Sequence, residues 1–217
     1  MLKRVFIAAC LTGAGLFPAP VFCAGLGTTL DRVRFPVELL IVQGDLQRLI
    51  SSARLSPDER LGLEGRIVSA LGGIEWLALE HEALTRSIVS RDALQRLQES
   101  WLAGELSLAL ERVSVLTRNH PLNIRIFSPE RATPDDVGRV KEIDAQLCQG
   151  CHIDSIGVAK SLPAYRLQNM ARVISAEEFL ARLLSGVRGT VETALANPLS
   201  LGDVRGFMRI YRESPAD

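Results

Sequence analysis

Two tetrapeptides built alike, Ser56-Pro57-Asp58-Glu59 and Thr133-Pro134-Asp135-Asp136, constrain this chain more than any other feature. Each places a hydroxyl at an N-cap and a proline in the first turn, where a missing N–H costs nothing. Each then adds acids that complement the helix dipole and reach back to the cap. Such a pattern starts a helix by local chemistry alone. From about Phe35 to Asn119 the chain has neither period-two alternation nor β-branched runs, and its apolar residues recur at helical spacing. The predicted class is all-α.

The first helix carries Val37, Leu40, Ile41, Leu46, Leu49 and Ile50 and is expected to end near Arg54, before the Ser56 cap. The second carries Leu61, Ile67, Val68, Leu71, Ile74 and Leu77, with Gly72-Gly73 as a point of kinking or breakage, since glycine is a poor helix former. A third is expected from the Ser90 cap to about Thr117, with Leu94, Leu97, Trp101, Leu108 and Val113 inward. Short connections between amphipathic segments predict an antiparallel helical bundle over residues 35–119. Residues 120–132, with Pro121, Asn123 and Pro129, read as a linker. Beyond it the Thr133 helix runs into Cys148, Ser175-Ala176-Glu177-Glu178 opens a helix reaching Gly186, and Ser200-Leu201-Gly202-Asp203 opens the last one. On that last helix Val204, Phe207, Met208 and Tyr211 share one face.

The N-terminus reads as a secretory signal. Lys3 and Arg4 precede the apolar run from Val5 to Leu16, which is shorter than a spanning helix and interrupted by glycines and followed by prolines. A signal peptide over residues 1–24 is expected, cleaved between 23 and 25, leaving no transmembrane segment. Ile7-Ala8-Ala9-Cys10 leaves too few apolar residues ahead of a cysteine to be acylated, which argues against a lipid anchor. Cleavage leaves about 190 residues, enough for one ordinary domain or two small ones. With 25 basic and 25 acidic side chains the formal charge is zero, which argues against a nucleic-acid binder.

Of four cysteines, two fall in the signal or at its edge. The other two stand in Cys148-Gln149-Gly150-Cys151-His152, the C-x-x-C-H pattern of covalent haem attachment. Two thiols about one helical turn apart can add to the two vinyl groups on one edge of a porphyrin, and the next residue then brings an imidazole under the iron. A zinc site wants four ligands, and outside the pentapeptide only the remote His81 and His120 are available. A thioredoxin-like pair would follow a strand. One haem c on Cys148 and Cys151, with His152 as an axial iron ligand, is therefore expected.

Residues 133–214 resemble a class I cytochrome c in the order of their parts: a helix leading into C-x-x-C-H, a loop with a proline, a middle helix, and a closing helix that ends in an aromatic. The resemblance implies that the Pro163 carbonyl accepts a hydrogen bond from the ring nitrogen of His152, fixing the imidazole's orientation. It also implies that the closing helix packs crosswise on the one before Cys148, with Val140, Ile143 and Leu147 on the other side of the contact. One departure stands out. The stretch Gly189 to Ala196, where the family keeps a methionine ligand, contains no methionine, histidine or lysine. Met170 is a shifted sixth ligand in one reading and a core residue beside the haem in the other. Met208 is read as core, His120 as a cation at a helix C-terminus or a more remote ligand, and His81 as exposed surface. The bundle differs from cytochrome c′, where the motif lies close to the end of the last helix.

These features imply an exported, periplasmic electron carrier rather than an enzyme, passing single electrons between redox partner proteins. An open sixth position would instead imply binding of small gases or reaction with peroxide. A further alternative makes the bundle the docking part of a haem subunit in a larger oxidoreductase complex. The haem segment is expected to fold and take up haem apart from the bundle.

Overall fold

The computed structural model describes residues 27–52, 55–152, 166–185 and 199–212. The segment read as a signal peptide and Pro163 lie outside the described residues, as does the methionine-less stretch 189–196. Among the described residues all regular structure is helical: α1 (Gly27–Ser51), α2 (Pro57–Thr85), α3 (Arg91–Leu102), α4 (Leu106–Asn119), α5 (Pro134–Ile143), α6 (Gln149–His152), α7 (Leu167–Val173), α8 (Ala176–Ser185) and α9 (Leu201–Arg212). None of these helices is long and apolar enough to cross a membrane. The all-α expectation holds.

The capping chemistry read from sequence forms as written. At Ser56 the hydroxyl accepts from Glu59 N–H at 3.2 Å while the Glu59 carboxylate accepts from Ser56 N–H at 2.8 Å. Thr133 and Asp136 repeat the exchange at 3.1 and 2.8 Å, and Ser200 and Asp203 at 3.1 and 2.7 Å. At Ser175 only half of the box closes. Its hydroxyl accepts from Glu178 N–H at 3.1 Å, but the Glu178 carboxylate turns away to arginines on α1 and α8.

Several boundaries differ from the sequence reading. Gly72-Gly73 does not break α2, which runs through all 29 of its residues. The single helix expected from Ser90 to Thr117 is two, because Gly104 takes φ +72° and turns the chain between α3 and α4. The bundle therefore has four helices. α1 starts before Phe35 and contains Pro36, which has no N–H to give to the Arg32 carbonyl four residues back. His81 Nδ1, 3.2 Å from that carbonyl, supplies the missing donor. His81 is accordingly buried and not on the surface as expected.

α1 sits in the middle of the molecule because it is apolar on two sides. One side, Phe35, Leu39, Val42, Leu46 and Leu49, packs into the bundle against Ile67, Leu71 and Ile74 of α2 and Val113 and Leu116 of α4. The other, Val33, Val37 and Ile41, packs on Phe179, Leu180 and Leu184 of α8 and Val204 and Met208 of α9. Residues 120–132 join this second core through Leu122 and Phe127, and fold into two short 3-10 turns. Of the apolar residues read on the first two helices, Leu61 and Val68 of α2 are exposed, and Ile50 of α1 is 42% exposed.

Charge locks the same junction. Asp45 on α1 is fully buried and takes two hydrogen bonds from Arg66 of α2, at 2.8 and 2.9 Å, and one each from Arg182 of α8 and Arg48, at 2.7 and 3.1 Å. Glu178 joins Arg48 at 2.6 Å and Arg182 at 2.7 Å. Its carboxylate occupies the space a side chain at position 44 would need, so only Gly44 allows it there. Burial pushes the Asp45 pKa upward, but the hydrogen bond from Arg66 and the charges of Arg182 and Arg66 outweigh it and hold the carboxyl below its usual range.

Candidate haem-attachment site

The C-x-x-C-H segment lies on a continuous helical run that begins at the Thr133 cap and extends through His152, the last described residue before 166. α5 is fixed first: Val140 is buried against α9, where Gly206 allows the approach, since a Cβ there would lie 2.9 Å from Val140 Cγ2 and 3.0 Å from the Asp136 carbonyl. Val140 and α9 thus meet as the sequence led us to expect, whereas Leu147, assigned to the same contact, is 68% exposed.

The reason lies in the turn between. Over Asp144–Cys148 the hydrogen bonding widens to a π turn, with Gln149 N–H donating to the Asp144 carbonyl. One extra residue in the turn rotates everything after it about the helix axis, a device frequent at functional sites. α6 then returns to ordinary helix and carries Gln149 to His152. Cys148 and Cys151 stand three residues apart on helical backbone, hence on one side of the rod about a turn apart. The side chain of Cys151 lies outside the described part. Cys148 and His152 are both half-buried.

Asp144 braces this turn. Its carboxylate is buried and accepts from Tyr211 O–H at one oxygen and from Gln149 Nε2 at the other, the latter at 3.0 Å. Tyr211 stacks on Phe207, centroids 6.0 Å apart and planes 4° apart, and meets Phe179 edge to face at 5.9 Å. Burial raises the Tyr211 pKa, and the hydrogen bond to Asp144 and that group's charge raise it further. The phenol therefore stays a donor at any physiological pH. Tyr211, Asp144 and Gln149 thus tie α9 to the π turn that leads into the C-x-x-C-H segment. The sequence marked Tyr211 only as the aromatic ending the last helix, and nothing in it singled out Asp144, because the partner lies far along the chain.

The other residues named from sequence lie elsewhere in the fold. Met170 on α7 is half-buried and packs against the second core, and Met208 is buried within it as expected. His120 caps α4 and is buried between Phe35 and His81, ring centroids 5.3 and 5.6 Å away. Burial first, and the neighbouring His81 second, push its pKa below the usual histidine value.

The residues present fit a covalently held haem: two thiol positions one turn apart, an imidazole at the next residue, and an apolar Leu147 standing in solvent beside them. No three described His, Cys, Asp or Glu side chains gather closely enough to hold a metal ion, but a porphyrin brings four nitrogen donors of its own and asks the chain for one or two. Comparison with family models, with curated proteins and with solved structures finds no match to this chain.

Proposed function

We propose that this protein is an exported monohaem c-type cytochrome that carries single electrons between periplasmic redox partners. One observation carries the reading: Cys148, Cys151 and His152 lie on one continuous helical run with the two cysteine positions a turn apart, the spacing that thioether attachment requires. Bound haem would supply an iron that alternates between ferrous and ferric states, with its potential set by axial ligands and burial. The chain's own residues do the rest. Cys148 and Cys151 would hold the group through thioether bonds, and His152 would supply an imidazole to its iron. Tyr211 and Gln149 hold Asp144, and through it the attachment turn, against α9. By the resemblance to class I cytochromes c, the Pro163 carbonyl orients the His152 ring.

The test is attachment itself. Haem should stay with the purified protein through denaturation and acid extraction, and Cys148→Ala with Cys151→Ala should abolish this; haem that washes out of the unmutated protein refutes the reading. A second reading, a five-coordinate haem open to small gases or peroxide, draws on the lack of methionine, histidine and lysine between Gly189 and Ala196. A high-spin spectrum of the oxidised protein, with ready uptake of carbon monoxide on reduction, would favour it over the electron carrier.

A further inference from the structure

The outer face of α2 is unlike that of an ordinary surface helix. Its inner face buries Leu63, Ile67, Ala70, Leu71, Ile74 and Leu77. On the side away from that core, Leu61, Gly65, Val68, Gly72, Trp76 and Leu79 follow one another at spacings of four, three, four, four and three residues, which keeps them on a single seam along the helix. All six are exposed, and the four with side chains are each more than half exposed. A helix covered on one side only should be polar here. The glycines are as telling as the apolar side chains. A Cβ on Gly65 or Gly72 would meet nothing within 4 Å among the described residues, whose packing therefore does not need glycine at either place, and glycine weakens a helix interior.

We propose that α2 pairs antiparallel with α2 of a second copy of this chain, about a two-fold axis at the level of Ala70. The seam is complementary to itself in that arrangement and in no parallel one. Reversed about Ala70, Val68 comes over Gly72 and Leu61 meets Leu79, while Trp76 falls one residue, about 1.5 Å, from the level of Gly65, so that each bulky residue lies beside a notch. A parallel pair would set tryptophan on tryptophan and glycine on glycine, jamming one level and leaving holes at two. Trp76 is held ready for the notch by Arg34, whose guanidinium lies 5.4 Å from the ring centroid and also pairs with Glu80 at 3.7 Å. The flanking carboxylates Glu64 and Glu75 approach each other across the pair, a repulsion that Arg60, 3.5 Å from Glu64, offsets. The seam runs about 27 Å along the helix at 1.5 Å per residue. Closing it covers on the order of 500 Å² per protomer and 1,000 Å² in all, the lower bound of a specific interface. The pairing does not depend on the haem reading, since no residue of α2 belongs to the attachment site.

Sedimentation equilibrium of the full mature protein across the micromolar range decides the matter. The unmutated chain should form a dimer. Gly65→Leu and Gly72→Leu should each give a monomer that melts no lower than the unmutated protomer, because the new side chain enters open space and improves the helix. Trp76→Ala should weaken the dimer by about tenfold or more, as removal of a central aromatic anchor does, while Leu102→Ala, exposed at the end of α3, should leave it unchanged. A chain that stays monomeric throughout overturns the proposal. A dimer that survives both glycine substitutions uses another surface and overturns it equally.

Discussion

Removing the Asp45 carboxylate tests the junction between α1, α2 and α8 most directly. In Asp45→Ala the guanidiniums of Arg48, Arg66 and Arg182 would face one another with Glu178 as the remaining acid of the cluster. Breaking a buried ion pair from one side costs about 3–5 kcal/mol. Here the arginines retain side-chain exposures of 28, 31 and 16%, so part of their charge can return to water, and the lower end, about 3 kcal/mol, is expected. Against a typical total of about 5–15 kcal/mol that is a large share. For a chain of this size it should lower the melting temperature by about 6–12 °C. Chemical denaturation followed by circular dichroism at neutral pH measures the loss, with Asp92→Ala, in the exposed pair with Arg96, as a control expected to change stability by less than about 1 kcal/mol. The pH dependence carries a sign. A carboxyl whose folded pKa is depressed contributes its stability above its unfolded pKa, about 3.9, and loses it as pH falls through the folded value. Asp45→Asn should therefore destabilise at neutral pH and flatten the acid limb below pH 4. A loss under about 1 kcal/mol for Asp45→Ala would show that solvent compensates the cluster and would refute the argument.

A fragment from Ala132 to Asp217 leaves Phe179, Leu180 and Leu184 without α1 and Arg182 without Asp45, so it should be exported with a lower yield of covalent haem than the full chain and melt without a cooperative transition. Equal yield and a sharp melt would show that α1 is dispensable to it. His81→Phe keeps the aromatic volume but strips the Arg32 carbonyl of its donor, and should cost about 1–3 kcal/mol in denaturant unfolding. His120, whose folded pKa lies below its unfolded value near 6.5, favours folding while neutral; stability should fall as pH drops from about 6.5 through the folded pKa, and His120→Phe should flatten that slope in a pH series of melts. If Met170 binds iron, Met170→Ala should turn oxidised low-spin protein high-spin and lower its potential; if it only packs in the second core, the spectrum should stay as it is and only the melting temperature should fall.

What the sequence determined alone was whatever depends on neighbours three or four residues away. The capping boxes at Ser56, Thr133 and Ser200 closed as read because both partners sit within one turn. The helical spacing of the C-x-x-C-H pentapeptide is legible for the same reason, since cysteine positions three apart are a property of a single helical turn. Even the break between α3 and α4 was local, and Gly104 was the signal that a run of apolar residues obscured. What only the tertiary structure decided involves residues far apart in the chain. α1 and α2 are apolar on more than one side, so periodicity could not say which side faces inward, and Leu61 and Val68 went outward once Ile67, Leu71 and Ile74 met α1. His81 reads as surface between two glutamates, and is buried because Pro36, on another helix, leaves a carbonyl without a donor. Asp45 with Arg182, and Tyr211 with Asp144, lie 137 and 67 residues apart. A buried charge or phenol finds its partner only when helices pack, and helix packing follows from the shape of whole faces, which no short stretch of sequence encodes.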